Sequence, residues 1–93
     1  MEYSLKVESA PKQPAGAPRE LVSMNPHLSF EELIYKVVAY SAIWHVQVPT
    51  PQYIAGLLLA AWDEDLGFGE IALSVDLGMF SDKMHVLTIL QYD

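Results

Sequence analysis

The densest group of chemically active side chains in this 93-residue chain is Asp63-Glu64-Asp65, joined five residues later by Glu70. The three consecutive acids fall at the end of a helical pattern. The macrodipole is already negative there, so each costs about a few tenths of a kcal/mol. Two uses justify such a run: it keeps a helix end solvated, or it meets a basic partner. As a cation site it fails, because a calcium loop needs oxygen ligands and a turn glycine at fixed positions that this spacing does not supply. No metal is expected.

His27, His45 and His85 are too far apart in sequence for any two to share a helix face as a zinc pair. His45 follows Trp44 at a helix end, where an imidazolium would offset the dipole, so it reads as a capping or packing residue. His85 lies in the central strand and, if it faces the uncovered side of the sheet, marks an interface more readily than a catalytic base. Catalysis would need one of these two histidines beside an acid with a perturbed pKa. Ser23, Ser41, Ser74 and Ser81 lack the context of a nucleophile elbow, and the chain has neither a dinucleotide fingerprint nor a phosphate loop. Gly67-Phe68-Gly69 precedes an acid and a strand, the wrong order and charge for holding phosphate. No cofactor is expected, and the chain reads as a non-enzyme.

Composition narrows the remaining classes. The chain is 52% hydrophobic and 18% charged, with a formal net charge of −7 and a mean hydropathy of +0.19. That is more apolar than a small soluble domain, with its large surface, needs. Surplus apolar surface points to an interface. Cysteine is absent, which rules out disulfides and thiolate sites and fits a reducing compartment. With no basic start or apolar run of a signal peptide at the N-terminus, a cytoplasmic location is the expectation. Nearly all the net charge sits in residues 63–93, where seven acids face Lys83 alone. Such a surface repels phosphate backbones, so direct nucleic-acid binding is not expected.

The elements that would position these groups follow from periodicity. Residues 2–8 alternate, with Tyr3, Leu5 and Val7 on one face, as a half-buried strand does. Residues 9–28 hold Pro11, Pro14, Pro18 and Pro26 and read as a proline-rich loop within a single domain spanning residues 1–93. Ser29-Phe30-Glu31-Glu32 is a capping box that opens a helix running to about residue 45, with Phe30, Leu33, Ile34, Val37, Ser41 and Trp44 on one face. Pro49 ends that stretch, and Thr50-Pro51 opens a second helix to about residue 65, with Ile54, Leu57, Leu58 and Ala61 inward.

Residues 37–62 contain no Asp, Glu, Lys or Arg. Val37, Val38, Ile43, Trp44, Ile54, Leu57, Leu58, Leu59 and Trp62 are therefore expected to supply most of the burial, each worth roughly 1.5–3 kcal/mol. Pro49 and Pro51 divide the block into pieces shorter than the roughly 20 residues of a membrane span. The second helix carries no Arg or Lys, so the helical pair does not read as a DNA-binding motif. Residues 70–77 alternate as a strand wet on one face. Residues 84–92 form a second strand that is apolar on both faces, with Val86 and Leu90 on one and Leu87 and Ile89 on the other, which makes it central.

The fold expected is α+β, with a two-helix hairpin packed on one face of a three-stranded antiparallel or mixed sheet in the order β-α-α-β-β. The C-terminal strand lies between the other two. The function expected is a protein–protein interaction module that docks on another protein, on itself as a homodimer, or both. Its binding residues would be Trp44, Trp62, Phe68 and Tyr40, with Asp63, Glu64, Asp65 and Glu70 as an acidic rim. One alternative is an acidic inhibitor whose carboxylates stand in for the phosphates of a nucleic acid in a basic enzyme groove. Another is a small-ligand protein or minor enzyme using His45 or His85.

Overall fold

The alternation of Tyr3, Leu5 and Val7 with polar neighbours becomes strand β1 (Glu2–Pro11) in a computed structural model of the protein. The structure describes residues 2–14, 16–44, 50–64 and 70–92, apart from the side chains of Ser41, Ile43, Trp44, Leu57, Ala61, Trp62, Asp63 and Glu64. Five further elements follow: β2 (Glu20–Leu28), α1 (Phe30–Trp44), α2 (Pro51–Glu64), β3 (Glu70–Asp76) and β4 (Lys83–Tyr92). The strands form one antiparallel sheet in the order β2-β1-β4-β3.

The C-terminal strand is central, as its two apolar faces require. It pairs with β1 from Glu2↔Tyr92 to Pro11↔Lys83 without a register shift. The sheet differs from expectation in having a fourth strand, β2, within the stretch that reads as loop. Its pattern is hidden by two register shifts against β1, one between Tyr3 and Leu5 and one between Val7 and Glu8, which break the two-residue alternation. Pro26 is tolerated because β2 is an edge strand.

Residues paired across an antiparallel ladder share a face. Tyr3, Leu5 and Val7 therefore lie with Ile89, Leu87, Ile71, Leu73 and Val75 on the side covered by the helices. Leu33, Ile34 and Val37 of α1 and Ile54 and Leu58 of α2 pack onto them as one cluster. Among the described residues, the sheet contributes more of that cluster than the uncharged block does. Within the block Leu59 is an exception to the expected burial, with 56% of its surface exposed.

Both helix starts form as their sequences dictate. Ser29 N–H donates to Glu32 Oε1 at 3.0 Å while Glu32 N–H donates to Ser29 Oγ at 3.1 Å, the reciprocal capping box. Tyr53 N–H donates to Thr50 Oγ1 at 3.1 Å, with Pro51 as the first helical residue. The expected hairpin needs correction. A groove is lined by Phe30, Glu31, Ile34 and Tyr35 from the start of α1 and by Pro51, Gln52 and Ala55 from the start of α2. In a tight antiparallel hairpin Pro51 would instead adjoin the last turn of α1. The connection, residues 45–49, lies outside the described residues.

The opposite face of the sheet carries no helix, yet Ala10 and Val86 on it are buried. The proline-rich loop covers them: Lys12, Gly16, Ala17 and Arg19 line a cavity with Ala10, Met84 and Val86. An ion pair from Arg19 to Glu8 at 3.6 Å holds the loop down.

Candidate functional site

The turn joining β3 to β4 is held by several hydrogen bonds, and it displays the two most exposed large apolar side chains described. Asp76, the last residue of β3, accepts a hydrogen bond from Gly78 N–H at 2.8 Å, a turn that an Asp side chain makes with the backbone two residues on. Gly78 has φ +107°, a conformation that side-chain-bearing residues avoid. Ser81 N–H closes the turn on Gly78 C=O at 3.1 Å, and Lys83 N–H donates to Ser81 Oγ at 3.1 Å.

Lys12 braces this turn from the other hairpin. Its Nζ lies 2.7 Å from Asp76 Oδ1 and donates to Gly78 C=O at 2.9 Å, while its N–H donates to Asp82 C=O at 2.7 Å. The backbone is thus fixed from within and from outside. At its tip Met79 is 86% and Phe80 99% exposed. A Phe in water on a fixed turn presents a full hydrophobic face with little conformational freedom left to lose on contact.

The sequence marks Phe80 only as one aromatic among several. The signal that would have singled it out is the Asp-x-Gly start of the turn between two alternating strands, which requires Met79 and Phe80 to sit at its tip.

Of the eight residues expected to bind a partner, the structure describes the side chains of two, Tyr40 and Glu70. Tyr40 is partly buried against the core, and its hydroxyl lies 2.8 Å from Ser23 Oγ, joining α1 to β2. Glu70 is exposed at the first residue of β3, opposite Leu90 on the face without helices. Trp44, Trp62, Asp63 and Glu64 lie in the last turns of their helices, and their side chains are outside the description. Asp65 and Phe68 lie outside the described residues, as does His45.

His85 faces the helix-covered side opposite Val75 and Ser9, and burial holds its pKa below the ordinary value. His27 has a carboxylate beside it. Its Nδ1 is 3.1 Å from Glu2 Oε2, its N–H donates to Tyr92 Oη at 3.0 Å, and its φ is +58°. The two ionisable members are exposed, with His27 71% and Glu2 48% accessible at the side chain, while Tyr92 is partly buried. The trio staples the bulged end of β2 to β1 and β4.

Among the described residues no group of three or more His, Asp or Glu side chains is placed to hold a metal ion, and no helix is long and apolar enough to cross a membrane. Compared with protein-family models, with curated proteins and with solved structures, the chain matches none.

Proposed function

We propose that the protein is a non-enzymatic protein–protein interaction module whose anchor is the Met79–Phe80 turn. The observation that carries this reading is the pairing of near-complete exposure at Met79 and Phe80 with a backbone held by Lys12, Asp76, Gly78 and Ser81. A loop that merely connects strands gains nothing from a Phe in water. A turn that enters a partner's apolar pocket gains roughly 1.5–3 kcal/mol for each side chain buried. Because the turn is already ordered, little of that gain is spent on fixing it. Asp82, exposed beside the tip, supplies a charged rim to the apolar centre, the arrangement in which an anchor carries affinity and its rim carries specificity.

The test compares affinity capture by the native chain with capture by the M79S/F80S double variant, read by mass spectrometry at low and high salt. Amide spectra of the two chains verify that both are folded. Proteins retained by the native chain and lost from the variant are the expected result. Identical sets from the two chains would remove the turn from the reading.

A further inference from the structure

The molecule carries an open apolar groove as well as an exposed anchor, and the two lie at opposite ends of the sheet. The groove runs between the first turns of α1 and α2, with walls of Phe30, Tyr35, Pro51 and Ala55 and with Ile34 buried at its floor. Its volume is about 260 Å³, and no described side chain fills it. A cavity of about 150 Å³ already holds a benzene ring, so the ring of Phe80 fits. At the groove end Phe30 packs on Tyr3, which pairs with Gln91. The turn leaves the sheet from the other end, beyond Pro11↔Lys83. Roughly 26 Å of strand separates Tyr3 from Pro11, so the turn cannot reach the groove of its own chain. A second molecule can bring the two together.

We propose that the Met79–Phe80 turn of one copy seats in the groove between α1 and α2 of a second copy. The proposal rests on the interaction reading above and names the partner of its anchor. Charge fits the same pairing. Glu31 is the charged residue of the groove lining, and Lys83 follows the tip of the turn. Both are exposed, and among the described residues neither side chain is ion-paired. The opposite wall is the first turn of α2, which holds no acid to offset the positive end of its dipole. In the proposed contact Lys83 lies toward Glu31 and Asp82 toward that helix start, so neighbouring residues of opposite charge meet walls of opposite polarity. The net charge of −7 on each copy opposes their approach. Physiological salt confines that repulsion to about 8 Å, so the contact strengthens from low to moderate salt.

The experiment follows amide shifts of the 15N-labelled native chain from micromolar to millimolar concentration at physiological salt. Residues 30–35, 51–55 and 78–83 should move together, and F80S should weaken the association at least roughly tenfold. A second titration adds unlabelled native chain to 15N-labelled F80S, which keeps the groove and lacks the anchor. Shifts should then appear in residues 30–35 and 51–55 and be absent from residues 78–83. E31K is the charge control: it reduces the net negative charge, which favours general association, yet it sets lysine against Lys83 and should weaken this contact. Shifts independent of concentration, movement of the turn without the groove, undiminished association of F80S, or tighter association of E31K would each overturn the assignment. If M79S/F80S loses its captured proteins while the native chain shows no concentration dependence, the second copy is excluded and the interaction reading stands. If the two patches move together while capture is unchanged in M79S/F80S, the turn serves self-association and the wider interaction reading fails.

Discussion

Lys12 and Asp76 meet with Nζ 2.7 Å from Oδ1, so a loop residue of the first hairpin is the brace of the second hairpin's turn. The lysine is the less exposed partner, at 28% against 66%. Its ammonium also bonds Gly78 C=O, which limits its freedom to leave. Replacing Lys12 with Met keeps most of the aliphatic stem and removes the charge. The K12M chain should lose about 1 kcal/mol of stability in urea, because part-exposed pairs are worth little. The larger effect is local: amide exchange at Gly78, Met79 and Ser81 should accelerate while that of β1 and β4 stays slow. Unchanged exchange in the turn would show that it stands without its brace.

The contact of Ser23 Oγ with Tyr40 Oη at 2.8 Å ties edge strand β2 to α1 from a partly buried position. Y40F and S23A should each destabilise the fold by about 1 kcal/mol. In a double-mutant cycle the two should couple by about 0.5–1.5 kcal/mol, measured by chemical denaturation. Additive effects would mean that the two hydroxyls act separately.

Acid should weaken the fold in two stages. Burial lowers the pKa of His85 in the folded state, so the unfolded chain takes up a proton first. The stability this residue protects is complete above its ordinary pKa of 6.5 and is lost as pH falls below that value toward the lowered one. Glu32 is lowered chiefly by the hydrogen bond its carboxylate accepts from Ser29 N–H and next by a side-chain hydrogen bond with Ser29. Its contribution is complete above the ordinary 4.5 and fades as pH falls through the lowered value. Thermal melts between pH 7 and 3 should decline first from His85 and then from Glu32. H85L should flatten the upper part of that decline and E32Q the lower part. A decline unchanged in H85L would assign the upper stage to other groups.

Phe80 and Leu87 have opposite burial and should answer truncation oppositely. Leu87 is 0% exposed at the centre of the cluster, so L87A should cost about 2–5 kcal/mol. Phe80 is 99% exposed, so F80S should change stability by no more than about 0.5 kcal/mol. Equilibrium unfolding of the two variants reads both values. A large loss in F80S would mean that the ring packs in solution and would count against its role as an anchor.

The regular parts of this fold were legible because each has one period and one buried face. Ser29 and Glu32 announced α1, Thr50 and Pro51 announced α2, and the two apolar faces of residues 84–92 placed β4 in the middle. β2 was not legible, because its two shifts interrupt the alternation by which a strand is recognised and Pro26 argues for a loop. The angle between the helices was hidden for another reason: α1 and α2 are apolar well beyond one stripe, and such helices do not specify which side meets which neighbour. The anchor was visible only as composition. Nothing local distinguishes Phe80 from Phe30, which packs against Tyr3 with ring centroids 5.4 Å apart, until the turn residues are used to place it.

The pairing of β1 with β4 also governs how the molecule comes apart. β1–β2 and β3–β4 are each local hairpins, and the ladder from Glu2↔Tyr92 to Pro11↔Lys83 is the seam that joins them. Closing a seam between segments so distant in sequence carries a loop-closure entropy that slows folding relative to a fold of local contacts. It is also where two chains can trade halves, each lending its second hairpin to the other's first, because an exchanged seam has the same contacts as a native one.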